Sequence, residues 1–396
     1  MGKYDFDTII DRDPLKTGSN KYFRMVDSKG NRAPAGIIPM STADMEFRTA
    51  PCAIEAIKKE ADFGVFGYHR LTPSFKEAYC GWMERRHDWK VDPDWIVPMD
   101  AVVSAEFTAI YAFTKEGDGV LMQNPAYHHF FLDTEKLGRK VNFTDMILKD
   151  GKYEIDFDDF EEKAKKSKMF ILCSPHNPSG RVWREDELRR MGEICNRYGL
   201  LVFADEVHHD LIMPGYKHTV YASLGKEFEQ NCVLATSLSK TFNLAGLSYA
   251  SIIVPNEKLR KAYTDMQGML SLTHVSRLGP VAQEAAYREG DEWLDEVIDY
   301  IHGNYVFMKE WFRKYYPDVF IADLEGTYLV WADFSCFGMT DKELADFLTD
   351  ECGIYPSNGS QFGPGGTGHE RFNIAMPRKA LSDALERFRA AMDRRK

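Results

Sequence analysis

The sequence predicts an α/β protein whose mostly parallel central sheet lies between helices, with a smaller α+β domain beside it. Near-continuous apolar segments alternate with amphipathic segments through the middle of the chain, a pattern typical of a parallel sheet covered on both faces. The chain has 396 residues, which exceeds the size at which a single hydrophobic core stops growing. We therefore expect a large domain over residues 46–290 and a small domain formed by residues 1–45 and 291–396.

The first elements follow from turn residues and apolar spacing. Residues 1–45 are polar and turn-rich, which predicts an arm rather than a helix or strand. Pro51 begins a predicted helix that runs through Lys59, because proline is favoured in a first helical turn. Apolar patterning then predicts the helices Pro73–His87 and Val102–Phe113, a helix through Leu188, Met191 and Ile194, and the strands Trp95–Val97, Gly119–Met122, Lys168–Cys173 and Leu200–Ala204.

A lysine occupies an unusual position between the next two predicted strands, Cys232–Thr236 and Tyr249–Val254. Lys240 lies on the short connection, and small hydroxyl residues precede it that could bind an anion. Hydrophobic surroundings would desolvate its ammonium group and lower its pKa, as an amine nucleophile requires. The alternative interpretation is an ordinary surface lysine on a loop.

The end of the chain is predicted to form the small domain. Helix continues past Leu278, and the domain change is placed near residue 290. The segments Tyr328–Ala332 and Phe372–Ala375 are predicted strands of the small domain. The helix that links the two domains would let them close on a substrate.

Polar side chains follow several strands of the predicted parallel sheet. Tyr127, Asn177, Asp205 and Lys240 all fall just beyond strand ends, where open α/β sheets bind their ligands. The helix that begins at Val102 would offer free N–H groups to a phosphate. A carboxylate that faces a pyridine nitrogen keeps it protonated, while a lysine can hold the cofactor aldehyde as a Schiff base. Capping of the next turn or metal binding remains the alternative role for Asp205.

Together these features resemble the pyridoxal-phosphate enzymes of the aspartate-aminotransferase fold type. More narrowly, the chain is similar to the cystathionine β-lyase-like carbon–sulfur lyases of that superfamily. The resemblance covers nearly the whole chain. Its motifs recur in family order: Tyr4-Asp5-Phe6-Asp7-Thr8-Ile9-Ile10-Asp11-Arg12, Ala43-Asp44-Met45, Phe66-Gly67-Tyr68, Pro175-His176-Asn177-Pro178-Ser179-Gly180, Asp205-Glu206-Val207-His208, Ser239-Lys240-Thr241-Phe242-Asn243-Leu244 and Arg371-Phe372-Asn373.

The resemblance implies pyridoxal 5'-phosphate as the cofactor, a small amino-acid substrate and a homodimer with shared active sites. By this resemblance, Lys240 carries the cofactor covalently, Asp205 binds the pyridinium nitrogen, Asn177 and His208 bind the phenolic oxygen, and Tyr127 stacks on the ring. The phosphate is assigned to Ser237, Ser239, the backbone of Val102 and Val103 and, from a neighbouring subunit, Tyr68. The substrate α-carboxylate is assigned to Arg371, with Asn177 beside it. A bidentate guanidinium suits a carboxylate.

Two departures from the family pattern concern the phosphate. Aminotransferases of this fold usually have an arginine eight residues after the lysine, where this chain has Ser248; the lyase branch tends to have a small hydroxyl residue there. The phosphate turn contains Asp100 and Ala101, where the family generally has proline and glycine. Ala101 could shift the helix N-terminus, and Asp100 would be unfavourable near a phosphate unless it points away.

The lysine and aspartate do not select one reaction. From the resemblance we predict β-elimination of L-cystathionine or a related cysteine S-conjugate, giving pyruvate, ammonia and a thiol. His208 in place of the usual tyrosine, Ser248 and the N-terminal arm favour this branch. An aminotransferase is the alternative. A regulatory binding protein on the same scaffold is a third class, against which the intact Lys240, Asp205 and Arg371 count.

Composition and spacing exclude several other classes. A net charge of −11 argues against nucleic acid and anionic membranes as partners. No apolar run is long enough to span a membrane and no signal peptide is visible, so we expect a cytoplasmic protein. The seven scattered cysteines predict reduced thiols.

We expect no metal site, because the pairs His128-His129 and His208-His209 lack ligand spacing. The G-x-G-x-x-G match at Gly363–Gly368 follows no convincing strand, which favours a mobile glycine loop beside the substrate site.

Overall fold

The computed structural model describes residues 2–12, 21, 25–32, 36–149 and 151–395. Part of the predicted N-terminal arm, at residues 13–20, 22–24 and 33–35, lies outside the described residues. A short strand near the end of the arm, β1 (Ile38–Pro39), pairs in parallel with β12 (Ile354–Tyr355). The arm therefore joins the part of the chain predicted to form the small domain.

An eight-stranded sheet forms the centre of the molecule. Its strands are β2 (Ile96–Met99), β3 (Gly119–Asn124), β4 (Lys140–Lys149), β5 (Lys152–Ile155), β6 (Met169–Cys173), β7 (Leu201–Asp205), β8 (Cys232–Thr236) and β9 (Ala250–Ile253). The order is β2-β9-β8-β7-β6-β3-β4-β5. The five strands β8, β7, β6, β3 and β4 are parallel, whereas β9 and β5 run antiparallel to their neighbours. The predicted mostly parallel sheet is confirmed.

Helices cover both faces of this sheet. They are α1 (Pro51–Phe63), α2 (Pro73–His87), α3 (Val102–Phe113), α4 (His128–Lys136), α5 (Phe157–Ala164), α6 (Glu185–Tyr198), α7 (Lys226–Glu229), α8 (Leu238–Thr241), α9 (Glu257–Met269) and α10 (Leu278–Glu289). The predicted bounds of α2 and α3 agree with the structure. Proline in the first turn and the Thr72 side chain, which accepts a hydrogen bond from the N–H of Phe75, explain where α2 begins.

The strands are apolar on both sides because each side faces a different core. In β6, Met169 and Ile171 belong to one hydrophobic cluster, while Phe170 and Leu172 belong to the other. Successive side chains of a strand point to opposite faces. The continuous apolar run in the sequence is therefore the signature of a strand buried on both faces, as predicted.

The C-terminal part has its own sheet and helices. Its elements are α11 (Asp291–Tyr315), β10 (Phe320–Ile321), β11 (Leu329–Asp333), α12 (Asp341–Asp346), a π-helical turn (Phe347–Glu351), β13 (Ser357–Asn358), β14 (His369–Asn373) and α13 (Arg378–Arg395). The strands form an antiparallel sheet in the order β10-β11-β14-β13. Gly290 separates α10 from α11, close to the predicted domain change, and the division at that point stays a prediction.

Two further properties of the described residues bear on function. No helix among them is both long enough and apolar enough to cross a membrane. All seven cysteines lie in the described ranges and carry free thiols.

Candidate active site

The carboxyl ends of the parallel strands meet at one edge of the large sheet and place the predicted site residues there. Asp205 is the last residue of β7 and is in register with Ala235 of β8 on one side and Cys173 of β6 on the other. Because β9 is antiparallel to both β8 and β2, the strand β2 runs in the same direction as the parallel strands and also ends at this edge. The helix α3 begins shortly after β2. Strand order alone thus brings residues from distant parts of the chain together.

A cavity of about 460 Å³ opens at this edge, between the large sheet and the small antiparallel sheet. Its lining includes ten of the eleven predicted site residues: Val102, Val103, Tyr127, Asn177, Asp205, His208, Ser237, Ser239, Lys240 and Arg371. The size suits a small-molecule ligand. Tyr68 is the one predicted residue that does not line it.

Lys240 lies on the four-residue helix α8, where the sequence predicted a loop. Ser237 caps this helix by accepting a hydrogen bond of 3.0 Å from the N–H of Ser239. The Lys240 Nζ donates a 2.8 Å hydrogen bond to the carbonyl oxygen of Ala43. Burial lowers the pKa of Lys240, although the carboxylates of Asp44 and Asp205 oppose this shift. A lysine with a lowered pKa can act as nucleophile and base.

The Ala43 carbonyl is a site feature that sequence reasoning missed. The segment that carries it is held by Asn243, which accepts from the N–H of Met45 and donates to the carbonyls of Met45 and Phe47, all at 3.0 Å. Asn243 has a positive φ of 55°, which asparagine tolerates better than most residues. The Ala43-Asp44-Met45 motif was the available signal, but nothing in it indicates that a backbone oxygen meets Lys240.

Asp205 is buried, and one of its carboxylate oxygens accepts a 3.0 Å hydrogen bond from the N–H of Val207. Burial raises the pKa of Asp205 from its usual value near 3.8 to about 6, while the Val207 N–H and Lys240 act in the opposite direction. The ionised form of such a buried carboxylate is stabilised when a cationic group binds beside it.

Arg371, on β14, brings a buried guanidinium to the opposite side of the cavity. It donates to Asn177 Oδ1 at 2.9 Å, the Ser41 carbonyl at 2.8 Å and Ser357 Oγ at 3.1 Å. Its Nε is buried and has no hydrogen-bond partner. Burial lowers the pKa of Arg371 to about 10, so the group stays positive at neutral pH. The arrangement leaves a charged donor able to receive an anion.

His208 and Asn177 line the same cavity. His208 is 3% exposed, and its Nδ1 has no hydrogen-bond partner. Burial lowers the pKa of His208 well below its usual value, so the ring is neutral. Because Asn177 Oδ1 accepts from Arg371, the amide NH₂ group of Asn177 remains a donor.

The N-terminus of α3 offers backbone N–H groups near Val102 and Val103. Its N-cap residue, Ala101, makes no side-chain capping hydrogen bond, so the first-turn N–H groups are free to bind an anion. Asp100 lines the same cavity, and its buried Oδ1 has no hydrogen-bond partner.

The two predicted phosphate-binding serines differ in their present bonding. The Ser237 hydroxyl donates at 2.7 Å to the carbonyl of Tyr249, so its hydrogen is already used inside the protein. Ser239 also lines the cavity, whereas Ser248 is exposed and lies outside the lining. Among the described residues that line the cavity, Lys240 is the one lysine and Arg371 the one arginine.

Tyr68 lies away from the cavity of its own chain. It is 95% exposed, and its ring lies 5.3 Å from that of His274. Tyr68 therefore does not line the cavity of its own chain, and its role in a neighbouring subunit stays a prediction.

The glycine-rich segment is not a dinucleotide-binding turn. The strand β14 follows it, whereas a dinucleotide-binding motif opens a helix. The N–H of Gly365 donates at 3.0 Å to Asn124 Oδ1, which ties the segment to the end of β3 beside the cavity.

The residues present fit pyridoxal 5'-phosphate. The fit rests on buried polar atoms at the cavity that lack partners, His208 Nδ1 and Arg371 Nε, and on the raised pKa of the Asp205 carboxyl. A pyridinium nitrogen, a phenolic oxygen and an α-carboxylate would supply the partners that these groups lack. The free first turn of α3 would receive the phosphate.

Comparisons with known proteins give a consistent family. Residues 35–388 match the family model described as aminotransferase class I and II. The chain is 40% identical over 357 residues to cystathionine beta-lyase PatB of Bacillus subtilis, covering 90% of this chain and 92% of that protein.

Solved structures agree with this relationship. Cystalysin from Treponema denticola, which contains pyridoxal 5'-phosphate, matches with a TM-score of 0.96 and 38% identity over 99% of this chain and all of the other. The PLP-bound C-S lyase from Staphylococcus hominis matches with a TM-score of 0.90 and 28% identity over 98% of each chain. The predicted fold type is thereby confirmed.

Proposed function

Because the chain belongs to the aminotransferase class I and II family and to its carbon–sulfur lyase branch, we propose that it is a pyridoxal-phosphate-dependent β-lyase. It cleaves L-cystathionine or a related cysteine S-conjugate to pyruvate, ammonia and a thiol. One observation carries the proposal: Lys240, Asp205 and Arg371 line a single cavity, with a nucleophilic amine, a carboxylate and a carboxylate-binding cation at separate places.

Bound pyridoxal phosphate supplies an aldehyde that takes up an amine and a protonated ring that withdraws electrons from the substrate Cα. Asp205 would bind the ring nitrogen and keep it protonated, since a cation beside the carboxylate stabilises it. Asn177 and His208 would hold the phenolic oxygen, and Tyr127 would stack on the ring. The first turn of α3 at Val102 and Val103, with Ser239, would bind the phosphate.

The substrate is oriented by its α-carboxylate, which Arg371 binds with Asn177 beside it. This orientation places the Cα–H bond toward Lys240. The Nζ of Lys240, whose pKa burial lowers, takes the Cα proton as general base. The electron pair left on Cα forms a double bond to Cβ as the Cβ–S bond breaks. The thiolate leaves with the electron pair of the Cβ–S bond. One water molecule then converts the eliminated three-carbon unit to pyruvate and ammonia.

The protein acts as a homodimer in this proposal, with Tyr68 of one chain reaching the phosphate in the other. The support is the exposure of Tyr68 and of neighbouring apolar side chains: Phe63, Val65 and Phe66 are 65%, 59% and 59% exposed. Large apolar side chains that are exposed together in one short segment are consistent with an interaction site. The cytoplasmic location stays a prediction.

The reaction is tested by product analysis. Purified, cofactor-loaded protein is supplied with L-cystathionine and no keto acid, and pyruvate, ammonia and thiol are each quantified. The proposal predicts the three products in equal amounts, and Lys240→Ala should lower the rate by about 10³-fold or more, because base and attachment point are lost together. Product formation only with an added keto acceptor, and amino transfer to it, would make the protein an aminotransferase instead.

A further inference from the structure

Behind the catalytic lysine lies a second group of side chains with the composition of a metal site. His87 from the end of α2 and His209 and Asp210 from the segment after β7 place their ligand atoms within 4.8 Å of one another. His87 and His209 have ring centroids 4.6 Å apart. Neither residue lines the cofactor cavity, so this cluster is separate from the proposed active site.

The tautomer of His209 leaves one ring nitrogen ready to bind a cation. Its Nδ1 donates at 2.6 Å to the carbonyl of Glu206, so Nε2 carries a free lone pair. His209 is 1% exposed, and its Nε2 has no hydrogen-bond partner. A buried nitrogen lone pair without a partner is rare in folded proteins and requires an explanation.

The atom facing that nitrogen is also an acceptor. His209 Nε2 lies 3.5 Å from Asp210 Oδ2, and no hydrogen bond joins the two atoms. Two electron-rich atoms held this close are stabilised when a cation lies against both.

The carboxylate of Asp210 is already oriented by groups that would form the outer shell of a metal site. Trp82 Nε1 donates to Oδ1 at 2.9 Å, and Thr241 Oγ1 donates to Oδ2 at 2.9 Å. His87 Nε2 lies 2.8 Å from Oδ1, and a metal would replace the proton between them. Such outer contacts fix ligand orientation and raise metal affinity.

The cluster borders a surface cavity. This cavity, of about 550 Å³, is lined by His87, His209 and Asp210. Arg86 lines the same cavity, and its charge is paired with Asp291 and Asp295. Zn²⁺ sites with three protein ligands take water as the fourth, and this cavity would be its source.

We propose that His87 Nε2, His209 Nε2 and a carboxylate oxygen of Asp210 bind one divalent transition-metal ion, with Zn²⁺ as the best match. Two imidazoles and a carboxylate are ligands that Zn²⁺ binds in proteins, with water as the fourth ligand of a tetrahedral site. The sequence did not indicate this site, because His87 and Asp210 lie 123 positions apart. Thr241, which follows Lys240 in α8, donates a hydrogen bond to Asp210. One proposed ligand of the ion is therefore in direct contact with the catalytic helix.

The test is Zn²⁺ binding to chelator-treated, cofactor-loaded protein by equilibrium dialysis, without amino acids that would chelate the metal. Wild type and the control His302→Ala should bind one Zn²⁺ per chain at this site. His209→Ala and His87→Ala should each weaken that binding by about 100-fold or more. Absence of Zn²⁺ binding in the wild type, or unchanged binding in both folded variants, would overturn the proposal.

A second measurement remains informative if a variant fails to fold. X-ray absorption of the wild-type Zn²⁺ complex should show nitrogen and oxygen ligands at about 2.0–2.2 Å and no sulfur. A sulfur shell at about 2.3 Å would place the ion on cysteines and contradict the assignment.

Discussion

Asp205 illustrates a conflict between stability and function at a single residue. The same burial that prepares its carboxylate for a cationic ring raises its pKa to about 6 in the cofactor-free protein. The folded state therefore holds a proton more tightly than the unfolded state does. By linkage, this residue's contribution to stability falls as pH rises from about 4 to about 6 and is constant above that window.

We predict that Asp205→Asn stabilises the cofactor-free protein more at pH 8 than at pH 5, by about 1 kcal/mol. Asparagine is neutral at both pH values and can still accept the hydrogen bond from the N–H of Val207. The free energy of unfolding is measured in urea for both proteins at both pH values, and the double difference cancels every other titrating group. An equal effect of the substitution at the two pH values would show that the pKa of Asp205 is not raised.

Which site residues could be predicted depended on whether the side chain itself carried the signal. Lys240 and Asp205 follow or end strands of the large sheet and have side chains whose chemistry indicates a role, while the role of Arg371, within β14, came from the family resemblance. The acceptor for Lys240 is the backbone carbonyl of Ala43, 197 positions away. A carbonyl group is common to every residue, so no sequence pattern could distinguish it.

At the scale of elements, the connection between α8 and the N-terminal segment governs the geometry around Lys240. Asn243 makes three hydrogen bonds to the backbone of Met45 and Phe47 from a backbone with positive φ. These bonds hold the segment that carries the Ala43 carbonyl against Lys240. A substitution at Asn243 should therefore affect both stability and the position of the lysine.

We predict that Asn243→Gly destabilises the protein by about 2–4 kcal/mol through the lost hydrogen bonds. Asn243→Ala should cost about 1 kcal/mol more, because alanine also pays for the left-handed backbone. Urea unfolding of the two variants separates these contributions. If the alanine variant were as stable as the glycine variant, the positive φ would carry no strain.

Elements were predicted well where local signals marked their ends and less well where they were short. The bounds of α2 and α3 agree with the structure: proline in the first turn marks where α2 begins, and α3 begins just after the strand β2. The helix α8 has four residues, too few to show a helical period, so it was predicted as a loop. The direction of β9 also left no trace in its apolar sequence, and the antiparallel pairing came only from the structure.

For the whole molecule, the placement of Tyr68 makes assembly testable. Tyr68→Ala and Lys240→Ala are each expected to be nearly inactive alone. In a hybrid dimer, one of the two sites combines an intact Lys240 with an intact Tyr68 from the other chain. After complete subunit exchange in an equal mixture, we predict about a quarter of wild-type activity, because half of the dimers are hybrids with one intact site each.

Subunit exchange is verified by native mass spectrometry of differently tagged chains. Two unmixed samples, measured at the same total concentration, provide the control. Verified hybrids with no recovered activity would mean that each site is completed within one chain.

The most direct measurement concerns the lysine itself. Cofactor-loaded protein is reduced with borohydride, digested and mapped by mass spectrometry to find the lysine that carries the cofactor. We predict a single label on Lys240, the lysine that lines the cavity with Asp205 and Arg371, and loss of the yellow colour on reduction. A label on any other lysine, or no label on a protein that retains cofactor, would contradict the assignment of this cavity as the catalytic site.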